Sequence, residues 1–373
     1  MWKVALFFFI QLVLCAQWNE HWPEAPNVLL YTFHDGTVSE LQGVLNVLFN
    51  GKAATTLINH DQLKLKPSEI QSQLCDKYTL IIVSDAFYIY KQFFEYIVLG
   101  GGCSKTVILL SITNRFDYKV KEREDYLKMM RKMAQLKNVF WAPNNPFELE
   151  WLRLAKVEVP KKKTFLCLPI GYHVQIDRKE WPETLKRLTM AASYNSDFWK
   201  YSACEHLTAI PEFEENTFLF DTKYGGVEAL KEYVDWFYYI PYQFSTMKVY
   251  ECWRAGVIMV IPSEEMLKQM LREMRSGGSD AFTLPEMEQC IWKEHPNDWQ
   301  QFWDVYRPEN RELVIIVKSY EELRKWIIAK KILGVDLDAY KKEVDERMKE
   351  HERVQLKQWK KLMKEMGRVR IMK

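Results

Sequence analysis

The 373-residue sequence contains no Asn-x-Ser/Thr sequon, no GxSxG elbow, no GxxxxGK[ST] loop and no HExxH pair. Those absences exclude the sequence-readable forms of serine-hydrolase, P-loop and zincin chemistry. A surplus of one charge is missing too. Lys and Arg number 52 and Asp and Glu 50, a net charge of +2. That balance excludes the global basic excess of a nucleic-acid binder. Glycine and proline, at 14 each, are too few for a low-complexity chain. No cysteine pair has metal-ligand spacing. The one DxD, "DLD" at 336–338, opens a charged tail, a poor place for a catalytic cation, so no metal is expected. "LGGGCSK" (99–105) has three glycines but precedes a strand pattern, so it reads as a loop and not as a dinucleotide fingerprint.

Long apolar runs are also scarce. The first, from Val4 to Ala16, follows a lone lysine. It is short of the ~20 residues that span a bilayer and has the length of a signal-peptide core. Residues 1–16 therefore read as a signal peptide, with a short anchor or a buried strand as the alternative. The expected location is the secretory pathway, in the lumen of the endoplasmic reticulum or Golgi, or outside the cell. Cleavage after Cys15 leaves six cysteines, Cys75, Cys103, Cys167, Cys204, Cys252 and Cys290. An even number suits a disulfide-permissive route. Cys167 and Cys252 sit in apolar stretches and read as core thiols.

What is present is apolar: 48% of residues are hydrophobic and 14% aromatic. That is ample for a large core, and the length suggests two domains. Branched runs at 27–33, 78–85, 106–112, 138–142 and 164–171 alternate with helical patterns such as 121–136. Alternation of that kind predicts a parallel sheet covered on both faces. Residues 26–175 form one expected Rossmann-like, doubly wound domain. The style repeats over 200–335: a strand at 217–221, a helix at 225–237, a strand at 238–244 weakened by Pro241, then further helix–strand pairs. Ser319 to Glu322 has capping-box form before the last helix. Residues 336–373 form a long, Lys-, Glu- and Arg-rich helix. It is read first as a solvated helix packing across both domains, and second as a membrane-surface contact through its basic end.

Ligands of open α/β sheets bind beyond the carboxyl ends of the strands. The polar residues expected at one rim are His34, Asp35 and Gly36, then Asp85, then Asn114, Arg115 and Asp117, then Asn144, Asn145 and Glu148, then Tyr172 and His173. Each taken singly reads better as a cap or turn.

The stretch "STMKVYECWRAGVIMVIPS" (245–263) stands apart. With Ser245 or Thr246 as cap, Lys248 lies in the first helical turn and Glu251 shares its face. A helix N-terminus plus a lysine suits a diphosphate. A carboxylate one turn on suits the two hydroxyls of a ribose. A surface Lys–Glu pair on a packing helix is an equal reading from the residues alone. The stretch resembles the donor-site motif of GT-B glycosyltransferases, especially fucosyltransferase-like and exostosin-like members, with Thr246-Met247-Lys248 at the helix start and the branched strand "VIMVIP". Ser319, Glu321, Glu322 and Leu323 resemble the close of such a domain. Met247 stands where fucosyltransferases usually carry Glu, Met259 where a proline is usual, and Gln243 where retaining enzymes carry an acid, which leaves inversion and retention both open.

The resemblance implies two Rossmann-like domains facing a cleft. It implies transfer of a sugar from a UDP- or GDP-linked donor to a hydroxyl acceptor on a glycan, protein or small molecule, with no further cofactor and no nucleic-acid partner. Lys248 would neutralise the diphosphate, helped by Thr246 and Arg115, and Glu251 would hold the ribose. His34 or Asp35, then Asp85, is best placed as base. The rival class is a secreted protein of the same fold that clasps a sugar or nucleotide without chemistry.

Overall fold

The computed structural model describes residues 22–371 apart from 23, 33, 59–66, 86, 101–102, 114–115, 118–119, 121, 174–187, 194–203, 208–210, 213–216, 221–225, 242–243 and 277–290. The signal-peptide segment and Arg115 lie outside the described residues. No helix among the described residues is long and apolar enough to cross a membrane. The chain divides into two compact units. One comprises residues up to Pro169 together with Arg353–Lys373, and the other runs from Ile170 to Glu352.

The first unit is built on a five-stranded sheet of β1 (Asn27–Tyr31), β2 (Ala54–Ile58), β3 (Leu80–Ser84), β4 (Val107–Ile112) and β5 (Val139–Pro143), in the order β2-β1-β3-β4-β5. Every pairing is parallel, with Val28 opposite Leu80, Leu80 opposite Val107 and Ile108 opposite Val139. The branched runs LIIVS and VILLSI are buried along their whole length, as strands covered on both faces must be. Helices α1 (Asp35–Leu48), α2 (Lys91–Val98), α3 (Arg123–Gln135) and α4 (Pro146–Leu154) turn apolar stripes inward, such as Leu41, Val44, Leu45 and Leu48 of α1. At the amino ends of the strands a disulfide joins Cys75 to Cys103, Cα atoms 4.6 Å apart. Beside it Thr106 Oγ1 donates to the carbonyls of Cys75 and Tyr78, and Asn138 Nδ2 donates to those of Cys103 and Thr106. Those bonds satisfy strand starts that would otherwise be buried orphans.

The second unit holds β6 (Leu188–Ser193), β7 (Thr217–Phe220), β8 (Val234–Tyr238), β9 (Met259–Pro262) and β10 (Ile315–Val317), again all parallel. Its order, read from the β7 edge, is β7-β6-β8-β9-β10. Both sheets therefore have the order 2-1-3-4-5, and each has its topological switch point between its first and third strands. The fold class is α/β: two doubly wound parallel-sheet units with a long C-terminal helix. Helices α5 (Gly226–Tyr233), α6 (Met247–Ala255), α7 (Glu264–Ser276) and α8 (Tyr320–Ala329) belong to this unit. The last helix, α9 (Leu337–Ile371), has 35 residues, of which those up to Glu352 belong to the second unit and the rest to the first.

Four expectations need correction. The run 164–171 is not a strand. Phe165 and Cys167 donate to the carbonyls of Trp141 and Pro143 at the edge of β5, but only a single bridge forms, and Pro169 has no N–H to extend it. The helix expected over 225–237 stops at Tyr233, and β8 begins at the next residue. Val227 and Leu230 keep the helical period, whereas VDWFY is branched and aromatic, and no loop residue separates them. The strand placed at 238–244 thus lies earlier, and Pro241 falls outside it. Strands β2 and β6 were not expected. ATTLI is a partly exposed edge strand and LTMAAS is weakly branched, so neither carries a buried-strand signal.

Candidate functional site

In the first unit, β1 and β3 are hydrogen-bonded neighbours with Tyr31 opposite Val83. Their next residues therefore emerge at one rim. Thr32 is 1% exposed, and its hydroxyl has no hydrogen-bond partner among the described residues. His34 takes the N-cap position of α1 with extended backbone, but its side chain makes no capping bond. His34 and Asp35 are both exposed. Across from them, β3 runs into Asp85, which has φ +68°. A non-glycine residue in the left-handed region is held there at a cost of order 1–3 kcal/mol, a condition common at functional sites. Tyr31 and Tyr90 pack edge-to-face at 4.2 Å beneath this rim. Burial pushes both phenols up, and for Tyr90 the nearby charge of Asp85 adds to it.

Two other rim residues of this unit, Asn145 and Asp117, make bonds that hold the fold. Asn145 caps α4 by accepting from the Phe147 N–H at 2.6 Å. Asp117 accepts from Trp151 Nε1 and Arg123 Nε, each at 2.7 Å. In the second unit, Asp336 of "DLD" accepts from the N–H groups of Asp338 and Ala339 and so caps α9. Among the described residues no cluster of His, Cys, Asp and Glu could hold a metal.

In the second unit, α6 starts beyond β8, the third strand of its sheet. Thr246 is the N-cap by backbone geometry, but its hydroxyl pairs with the Tyr239 hydroxyl at 3.0 Å and makes no capping bond. Lys248 lies in the first turn, half-buried, with Nζ 5.6 Å from the centre of the Phe237 ring on β8. Burial pulls its ammonium down to about 8, against the opposing pull of the Glu251 carboxylate. Glu251 is half-buried on the same helix. The Cys252 thiol behind them is fully buried and pushed up to about 12 by desolvation, so it is inert core. Gly256, at φ +75°, closes α6 in a left-handed cap, and Val257 N–H donates to the Cys252 carbonyl.

Helix α6 is held from several sides that the sequence did not disclose. Gly171 has φ +86°, and a Cβ there would lie 2.3 Å from the Tyr250 carbonyl oxygen. Tyr172, expected at the rim, instead donates to Glu352 at 2.5 Å beneath the Arg254 guanidinium. Arg254 pairs with Glu352 at 3.0 Å. His173, expected beside Tyr172, bonds Glu228 at 3.0 Å. Tyr250 stacks on His351, and its buried phenol is pushed well up, with Asp304 and Arg307 among its charged neighbours. The signal for Asp304 and Arg307 was their place in a tryptophan-rich stretch that reads as irregular from sequence.

No protein-family model matches the chain, and no curated protein does. Solved structures similar to it include the glycotransferase of kitacinnamycin, at 9% identity over 88% of this chain and 96% of that one, TM-score 0.39. Another is a putative UDP-N-acetylglucosamine 2-epimerase from Listeria monocytogenes, at 9% identity over 77% of this chain and 95% of that one, TM-score 0.37.

Proposed function

We propose that the protein is a glycosyltransferase of the secretory pathway that moves a sugar from a nucleotide-sugar donor to a hydroxyl acceptor. The observation that carries this reading is α6: it starts just past the switch-point strand β8, with half-buried Lys248 in its first turn and Glu251 one turn on. The hydroxyl of Thr246 is engaged by Tyr239, so the first N–H groups of the helix lack that cap. Those groups and the Lys248 ammonium would take the charge that builds on the departing diphosphate. Glu251 would accept from the ribose hydroxyls. In the first unit, His34 or Asp35 would remove the acceptor proton, with Asp85 next, and Arg115 would meet phosphate or an acidic acceptor. The Cys75–Cys103 disulfide supports an oxidising compartment.

Calorimetric titration with UDP and GDP, followed by a screen of common nucleotide sugars for nucleotide release, tests the reading. One nucleotide should bind, Lys248→Ala should weaken it by roughly 1.5–3 kcal/mol, and one donor should be turned over. Equal binding by wild type and Lys248→Ala would remove the donor site. Binding without release of nucleotide from any donor–acceptor pair would make the protein a binding module instead.

A further inference from the structure

The first unit carries a groove of about 480 Å³ on a part of the molecule that none of the proposed transfer residues lines. One wall is the segment 161–168 and the other is the second half of α9. Its construction starts with "KKK", a one-turn 3-10 segment at Lys161–Lys163. Lys163 is buried, and its Nζ donates to the carbonyls of Ala134 and Leu136 at the end of α3, 2.7 and 2.8 Å away. A lysine there satisfies orphan carbonyls of a helix C-terminus. Pinned in that way, the turn leaves Lys161 and Lys162 exposed at the groove. Opposite, Lys361 of α9 extends over the Phe165 ring at 5.9 Å. Gln355 fixes the two walls together, its Oε1 accepting from the Leu168 N–H at 3.0 Å.

The charge is one-sided. Lys161, Lys162 and Lys361 form no ion pair among the described residues. The lining carboxylate, Glu365, is already paired with Arg368 at 2.5 Å. Thr164 and Gln358 add a hydroxyl and an amide to the lining. Three uncompensated cations around a concave, hydrogen-bonding surface suit an anion that enters a groove. A bilayer surface fits less well, because interfacial binding wants a broad exposed apolar face, and the large exposed apolar side chain here is Val354 alone.

We propose that this groove binds a soluble ligand carrying several sulfate or phosphate esters on a polyol frame, held by Lys161, Lys162 and Lys361. The site stands apart from nucleotide binding at α6, so each can fail without the other.

The full chain would be titrated with sucrose octasulfate, with inositol hexakisphosphate and with unmodified sucrose, at rising salt. Flotation with phosphatidylserine vesicles would run alongside. Octasulfate, hexakisphosphate or both should bind, sucrose should not, and the better ligand tells sulfate from phosphate. The double variant Lys161→Gln/Lys162→Gln should lose at least tenfold in affinity and flatten the salt dependence. Lys361→Gln should lose about threefold or more. Lys341→Gln/Lys342→Gln, which removes as much exposed charge from the same helix outside the groove, should change affinity less than twofold. The proposal falls if neither polyanion binds, if the control pair loses as much as the groove pair, or if vesicles bind through these lysines while the soluble polyanions do not.

Discussion

The two units share one strand order and differ in what they place at the switch point. In the first, the crossing of β1 and β3 ends in exposed His34 and Asp35 and in Asp85 at φ +68°. In the second, the corresponding third strand leads to α6, whose Lys248 is half-buried over an aromatic ring and whose Tyr250 and Arg254 are held by Gly171, His351 and Glu352. Exposed acid–base groups at a helix start, beside a half-buried carboxylate on left-handed backbone, would suit a proton that must be moved. A partly desolvated lysine on a fixed helix suits a charge that must be held, since an ammonium out of bulk water attracts an anion more strongly. Under the proposed function, one topology would serve two kinds of site, and the side chains past the strand ends would decide which.

The largest expected effect breaks the clamp on the second unit. Gly171→Ala must both hold alanine at φ +86° and relieve a 2.3 Å approach to the Tyr250 carbonyl. Urea unfolding should show a loss of roughly 3 kcal/mol or more. Gly256→Ala, also left-handed at φ +75° but with open space around its Cβ, should lose only about 1 kcal/mol. Equal losses at the two positions would show that the contact with α6 contributes nothing.

The next effect is electrostatic and separates the units by pH. A Lys248 ammonium held at about 8 in the free protein must be charged to receive a diphosphate. Bound anion raises that pKa, so the complex takes up a proton once the pH exceeds about 8. Nucleotide affinity should therefore be flat from about pH 7, where the terminal phosphate is ionised, to about pH 8 and fall above it, by up to about tenfold per pH unit. Lys248→Ala should abolish the fall. The same linkage applies to folding with the opposite slope. A folded pKa below the unfolded one costs stability at low pH, and that cost is relieved as the pH rises from about 8 toward the ordinary lysine value.

A smaller effect sharpens the ribose assignment. Glu251→Gln should weaken a ribonucleoside diphosphate by about 1 kcal/mol and its 2′-deoxy analogue by less, because one hydroxyl partner is then absent. Identical losses for the two ligands, read by calorimetry, would detach Glu251 from the ribose. The smallest effect lies in the first unit. In Asp85→Gly, relief of the left-handed backbone offsets the lost carboxylate, so stability should stay within about 1 kcal/mol of wild type. Transfer activity should fall all the same if Asp85 handles a proton. A variant that keeps full turnover would leave the acid–base role to His34 or Asp35.

The fully buried strands β3, β4 and β9 were legible because their branched runs have no other good use, and α6 because its apolar face, its lysine and its closing glycine repeat at helical spacing. Cys167 and Cys252 were legible as core thiols for the same reason. The edge strand β2, the loop-free passage from α5 into β8 and the irregular run 164–171 were not, because each depends on what lies beside the chain and not along it.

The class of fold was readable along the chain: continuous branched runs alternating with helical periods call for parallel strands covered by helices, and they fall into two sets. The packed chain alone settles the shared 2-1-3-4-5 order, the left-handed backbone of Asp85 and the bond from Tyr172 to Glu352 beneath Arg254 of α6. The physical reason is that periodicity reports which face of an element is buried. Strand order, left-handed backbone and close approach arise only when distant segments compete for the same space.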